Sequence, residues 1–83
     1  MHCEADEADG YRCDVVVSND GPSTRHRVRV SRKDFDRWAR GRRVEELVRD
    51  SFAFLLERET KESILREFDL AVIKRYFPEY DGA

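Results

Sequence analysis

Phenylalanine and leucine recur at helical spacing through residues 44–77, VEELVRDSFAFLLERETKESILREFDLAVIKRYF. The spacing predicts a helix from Val44 to about Arg58, with Glu45 and Glu46 near the positive end of the helix dipole. The predicted inner stripe consists of Val44, Leu47, Val48, Ser51, Phe52 and Leu55. This pattern indicates that the hydrophobic core forms around the second half of the chain.

Two further apolar side chains lie outside this stripe. Phe54 and Leu56 widen the apolar arc of the helix beyond what one core-facing stripe requires. A helix with such an arc either packs between neighbours on two sides or offers a face to a second subunit. Phe54 and Leu56 are therefore our candidate residues for a protein interface.

Two short helices are predicted farther along the chain, capped by Thr60 and Asp69, and Pro78 ends the second. Their apolar positions are Ile64, Leu65 and Phe68 in the first, and Leu70, Ile73, Tyr76 and Phe77 in the second. Two such helices could form a DNA-reading helix-turn-helix, but the second offers little to base edges beyond Lys74 and Arg75. Packing explains the pattern more simply.

Residues 11–18 and 24–30 show the two-residue alternation of β-strands, and turn residues occupy positions 19–22 between them. A hairpin folded about this turn pairs Tyr11 with Val30, Cys13 with Val28, and Val15 with His26. The two apolar faces then coincide, whereas a slip of one residue would separate them. The sequence therefore predicts an antiparallel hairpin in this register.

Ser31 and Asp34 suggest a capping box, and apolar residues follow at helical spacing before Gly41. The sequence therefore predicts a short helix between Ser31 and Gly41. The first ten residues contain four acids and no periodicity, so we predict a mobile acidic tail over 1–10.

Residues 11–80 are predicted to form a single α+β domain, an N-terminal antiparallel β-hairpin followed by three to four short helices packed on one face. Because a lone hairpin is rarely stable, dimerisation through the sheet edge is an alternative way to complete it.

The second half of the chain also carries a resemblance. Residues 51–59 (SFAFLLERE), 61–65 (KESIL), 68–70 (FDL) and 75–80 (RYFPEY) are similar to a set of short bacterial proteins known chiefly as hypothetical. The similarity covers residues 51–80 well and residues 11–80 loosely. It implies a bacterial, cytoplasmic protein that stands alone as a small domain, and it brings no activity, cofactor or site residue with it.

Charge is unevenly distributed along the chain, with net charges of −5 over residues 1–22, +7 over 23–43 and −4 over 44–83. The basic block consists of Arg25, Arg27, Arg29, Arg32, Lys33, Arg37, Arg40, Arg42 and Arg43. Guanidinium groups suit phosphates, so these nine cations are candidates for nucleic-acid binding, with the hairpin arginines on its outer face. The competing interpretation is a solvated face that pairs with the protein's own acids, and the net charge of −2 favours it.

No catalytic or metal site is predicted. His2, Cys3, Cys13 and His26 lack the close-spaced pairs of a zinc site, and the two cysteines lack a disulfide framework of the secreted type. Cys13 and His26 could approach each other on the hairpin, but no orienting third group is evident for a reactive thiol. We predict core roles for both residues, no disulfide and no cofactor.

These observations favour a non-enzymatic protein-interaction or regulatory module, with a protein partner that could be a second copy of the chain. Nucleic-acid binding through the basic block is the alternative. The longest apolar run has five residues, 52–56, far fewer than the roughly 20 needed to span a bilayer. We therefore expect no membrane association, no small-molecule substrate and a cytoplasmic location.

Overall fold

The computed structural model describes residues 1–7 and 9–83, and the chain forms an α+β structure in which helices cover one face of a β-sheet. The elements are β1 (His2–Ala5), β2 (Tyr11–Val17), β3 (Thr24–Val30), α1 (Arg32–Trp38), α2 (Val44–Leu56), β4 (Glu67–Asp69) and α3 (Val72–Tyr76). The strand order is β1-β2-β3-β4. β4 is parallel to β3, whereas the other neighbours are antiparallel. The α+β class is confirmed, but the sheet is larger and more mixed than the predicted hairpin.

The central hairpin of β2 and β3 has the predicted register. Tyr11 lies opposite Val30, Cys13 opposite Val28, and Val15 opposite His26. Every second side chain of β3 is buried against the helices, and the alternate arginines are exposed. The two-residue pleat decides this register, because a slip would bury the arginines.

Strand β1 corrects the prediction that residues 1–10 form an unstructured tail. His2–Ala5 pair with β2, and Cys3 lies directly opposite Cys13, to which it is joined by a disulfide. The expectation of no disulfide is therefore wrong. Four largely polar residues carry no periodic signal, so local pattern could not reveal a strand that is held by pairing and by a covalent bond. Ala8, which belongs to the predicted tail, lies outside the described residues.

The segment that follows α2 corrects a second prediction. The helix expected after Thr60 is a single 3₁₀ turn over Lys61–Ser63, and the chain then enters β4. Asp69 belongs to β4 rather than capping a helix, and α3 begins after Ala71. Pairing with β3 overrides the helical spacing, because β4 buries Phe68 and turns its two carboxylates outward toward arginines of β3. The helix-turn-helix alternative thereby loses its first helix.

The predicted starts of α1 and α2 are confirmed. The Ser31 hydroxyl accepts a hydrogen bond from the Asp34 amide at 3.1 Å, which caps α1. At the start of α2, the Arg43 amide donates to the Glu46 carboxylate at 2.9 Å. The six residues predicted as the inner stripe of α2 are all buried.

The core lies between the inner face of the sheet and α2, and the C-terminal segment closes it. Tyr80 is fully buried, donates a hydrogen bond to the Ser51 hydroxyl at 2.6 Å, and meets Trp38 edge-on with a centroid distance of 5.0 Å. Gly82 packs so closely that a Cβ there would lie 2.8 Å from the Cβ of Trp38. The folded unit therefore extends past residue 80, where the sequence placed its end.

Candidate functional site

An apolar groove lies in the helical layer, between the C-terminal end of α2, the 3₁₀ turn, β4 and α3. Its volume is about 190 Å³. The residues that define it are Leu55, Ile64, Leu65, Phe68, Ile73 and Tyr76. Four of them are buried and form its floor, so the groove is a recess in the hydrophobic core itself.

The rim of the apolar groove carries two large exposed side chains. Leu65 is 47% exposed and Tyr76 is 67% exposed. Only four large apolar side chains are exposed among residues 1–7 and 9–83, and these two line the same recess. Clustered exposed apolar side chains mark interaction surfaces more often than scattered ones do.

Two charged residues of opposite sign, one on the rim and one next to it in the chain, have no ionic partner among the described residues. Glu59 lines the groove half-buried, and no ion pair of its carboxylate occurs in the described part of the chain. Arg75 lies one helical turn after Val72, which also lines the groove, and it too lacks an ionic partner within the described ranges. One unpaired anion, Glu59, therefore lines the groove, and one unpaired cation, Arg75, is the chain neighbour of the rim residue Tyr76.

The interface candidates Phe54 and Leu56 lie elsewhere. The Phe54 ring packs edge-on against Phe77 and Tyr80, with centroid distances of 5.9 and 5.3 Å, and the guanidinium of Arg58 lies 3.6 Å from its centroid. Leu56 is half-buried and packs against the core. The wide apolar arc of α2 is thus used within the chain, because the helix has the sheet on one side and the C-terminal segment on another.

The outer face of the sheet, which no helix covers, carries the arginines of β3. Arg25, Arg27 and Arg29 are all exposed, as their alternation predicts. Arg27 pairs with Asp14 at 3.3 Å and with Glu67 at 3.9 Å, and Arg29 pairs with Asp69 at 3.0 Å. The hydrogen bond and the charge of Asp69 raise the pKa of Arg29 above its usual range.

Most of the remaining cations of the basic block are also paired. The pairs are Arg32 with Asp9 and Asp36, Arg37 with Asp34, Arg40 with Asp81, Arg42 with Asp50, and Arg43 with Glu45. Arg42 in addition donates to the carbonyls of Trp38, Ala39 and Gly82. Seven of the nine nucleic-acid candidates therefore have a carboxylate partner, and only Arg25 and Lys33 have none among the residues that the structure describes.

The residues weighed for thiol chemistry are built into the core. Cys13 is fully buried in its disulfide with Cys3. His26 is buried, with Nδ1 2.8 Å from the Leu65 carbonyl oxygen and Nε2 2.8 Å from the Thr24 hydroxyl. Both ring nitrogens thus have partners within the chain. No group of His, Cys, Asp and Glu in residues 1–7 and 9–83 is arranged to hold a metal ion.

Leu65 and Tyr76 are the functional candidates that sequence reasoning missed, because both were assigned to the apolar faces of helices. Each has an apolar chain neighbour, Ile64 and Phe77 respectively, that packs against the core while the residue itself is exposed. In each of these two pairs of consecutive apolar residues one packs against the core and the other is exposed, and the pairing of apolar residues was the available signal.

The chain matches no protein-family model, no curated protein and no solved structure. No described helix is both long enough and apolar enough to cross a membrane.

Proposed function

We propose that the protein is a non-enzymatic interaction module that self-associates through the apolar groove. The observation that carries the proposal is that Leu65 and Tyr76, two large exposed apolar side chains, line the same apolar recess. Complete removal of one such side chain from water contributes roughly 1.5–3 kcal/mol to the free energy of association. The candidate contact surface therefore moves from Phe54 and Leu56 to this groove.

A second copy of the chain is the partner that suits this surface. In a twofold dimer the same patch meets itself, so a patch must offer both a protrusion and a recess. The groove supplies the recess, and Leu65 and Tyr76 supply the protrusions. The rim charges are self-complementary in the same way, because a twofold axis can bring Glu59 of one copy toward Arg75 of the other.

Sedimentation equilibrium over a range of protein concentrations tests this proposal. Self-association should be present in the natural chain and should weaken by at least about tenfold in Leu65→Ser and in Tyr76→Ser, since each removes apolar area from the interface. Val16→Ser is the matched control, because Val16 is 49% exposed on the other face of the sheet. A chain that stays monomeric at high concentration, or a control that weakens association equally, refutes the proposal.

Nucleic-acid binding through the basic block is a second proposal, supported by two unpaired cations, Arg25 on the uncovered face of the sheet and Lys33 on α1. It is the weaker of the two, because the protein's own carboxylates already neutralise the other seven. Oligonucleotide binding, if present, must fall steeply with salt concentration. A titration at low salt that shows no binding removes this proposal.

A bacterial origin and a cytoplasmic location are proposals supported by the sequence resemblance. The Cys3–Cys13 disulfide argues for a different compartment, because disulfides persist in oxidising environments and are rare in reducing ones. Alkylation of free thiols in freshly lysed cells tests the location. Modification of both cysteines before reduction supports the cytoplasm, and protection of both contradicts it.

A further inference from the structure

A second recess lies on the uncovered face of the sheet, at the step where β4 begins. β4 pairs only with Arg27–Arg29 of β3, so the first part of β3 extends beyond it. The resulting depression has a volume of about 460 Å³. The exposed residues that line it are Asp14, Val16, Arg25, Arg27, Arg66 and Glu67.

The charges of this depression are not balanced. Arg27 lies between the two carboxylates of the lining and pairs with both of them. Arg25 and Arg66 are exposed, and neither has an acidic partner in the part of the chain that the structure describes. Three guanidinium groups thus face two carboxylates, which leaves one positive charge in excess and two guanidinium forks without a partner.

An exposed apolar side chain adjoins the two free arginines. Val16 lies directly opposite Arg25 in the hairpin and is 49% exposed. The neighbouring outward arginines on the same face, Arg12 and Arg29, both lie within reach of a carboxylate, at 4.0 and 3.0 Å. The unpaired positive charge is therefore confined to this depression. It does not extend along the sheet face, as binding of a nucleic-acid strand would require.

We propose that this depression is a binding site for a phosphate monoester, with Arg25 and Arg66 binding the phosphate and Val16 contacting the organic part. A phosphate monoester carries close to two negative charges at neutral pH, which matches two free guanidinium groups. The planar donor fork of arginine suits phosphate oxygens in a bidentate arrangement. This proposal is separate from the proposed self-association, because the depression shares no lining residue with the apolar groove, although Arg66 directly follows the rim residue Leu65.

Titration of the full chain with phenyl phosphate, followed by amide and methyl NMR shifts, tests the site. The resonances of Val16, Arg25 and Arg66 should shift together and saturate. Arg25→Gln and Arg66→Gln should each weaken binding by about tenfold, the usual loss for one charge-assisted contact. Both side chains are exposed and make no ion pair within the described residues, so both variants should keep the natural spectrum elsewhere.

Lys33→Gln is the matched control, because Lys33 is an unpaired cation on α1 and its loss changes the net charge equally. It should leave the affinity unchanged. Inorganic phosphate should bind more weakly than phenyl phosphate, since it has no apolar part for Val16 to contact. Equal affinities for the two ligands, an equal loss in the control, or shifts that never saturate would each overturn the assignment. Tighter binding of a single-stranded oligonucleotide, weakened by all three variants alike, would replace it with nucleic-acid binding.

Discussion

Tyr80 shows how one buried hydroxyl ties the C-terminal segment to the core. Its phenol is fully buried, and its hydroxyl meets that of Ser51, which itself donates to the Leu47 carbonyl. Burial raises the pKa of Tyr80 to about 12, against 10.0 for the free side chain, and the charge of Arg42 opposes this shift only in part. The folded protein therefore holds the phenolic proton more tightly than the unfolded chain does.

This difference predicts an alkaline loss of stability. Below pH 10 the stabilising effect of the retained proton is fully present, and it is lost as the pH rises toward 12, where the folded state ionises too. The loss should be of the order of 2 kcal/mol. Urea unfolding at pH values from 9 to 12 measures it.

In Tyr80→Phe the slope of the unfolding free energy against pH should be shallower over this interval. Tyr76→Phe is the control, because Tyr76 is exposed and its loss should leave the slope as it is in the natural chain. A Tyr80→Phe variant with an unchanged slope would show that Tyr80 does not cause the alkaline effect.

At the scale of elements, strand β1 is held to the sheet by a covalent bond as well as by strand pairing. It has four residues, lies at the edge of the sheet, and is joined to β2 by the Cys3–Cys13 disulfide. Reduction should lower the free energy of unfolding by about 2–3 kcal/mol, because a cross-link closing a loop of this length restricts the unfolded chain by about that amount. Amide exchange should quicken in β1 and stay slow in the β2–β3 hairpin.

A Cys3→Ser variant serves as the control for this prediction. It should already show fast exchange in β1, and a dithiol reductant should have no further effect on it. If reduction of the natural chain left the exchange rates of His2–Ala5 unchanged, the remaining strand pairing would be holding β1 without the disulfide.

The elements that were predicted correctly from the sequence are those whose periodic pattern continues over many residues. The hairpin repeats its two-residue alternation over two seven-residue strands, and α2 repeats its stripe over 13 residues, so each pattern has many positions that agree. β1 and β4 have four and three residues, too few to display a period. These two strands form because they pair with the edges of β2 and β3, and those edges exist only in the assembled sheet.

The candidate sites follow the same division. The outward direction of Arg25 was predictable because it belongs to the regular alternation of β3. Arg66 could not be placed, because it precedes β4, a strand that the local pattern does not reveal. Leu65 was assigned to the apolar face of a helix that the structure reduces to the 3₁₀ turn, whereas Tyr76 does lie on a helix, α3, but on its exposed side.

At the scale of the whole molecule, the two proposed surfaces lie on different layers. The apolar groove belongs to the helical layer, whereas the depression with Arg25 and Arg66 lies on the uncovered face of the sheet. Self-association should therefore leave the depression open. The affinity for phenyl phosphate should stay the same as the protein concentration is raised through the self-association range, with one ligand bound per chain, which calorimetry measures. An affinity that changes with protein concentration would show that the two surfaces are coupled.

The C-terminal closure of the core also has a consequence for synthesis. Tyr80 and Gly82 pack against Trp38, and Arg42 donates a hydrogen bond to the Gly82 carbonyl. Some of the last residues described therefore cover this side of the core. A ribosome delivers the chain from its N-terminus, and the hairpin emerges while residues 80–82 are still inside the exit tunnel. The nascent domain must therefore leave the Trp38 side of its core open until these residues have left the tunnel, and a message cut short before residue 80 would yield a product that lacks the side chains that close it.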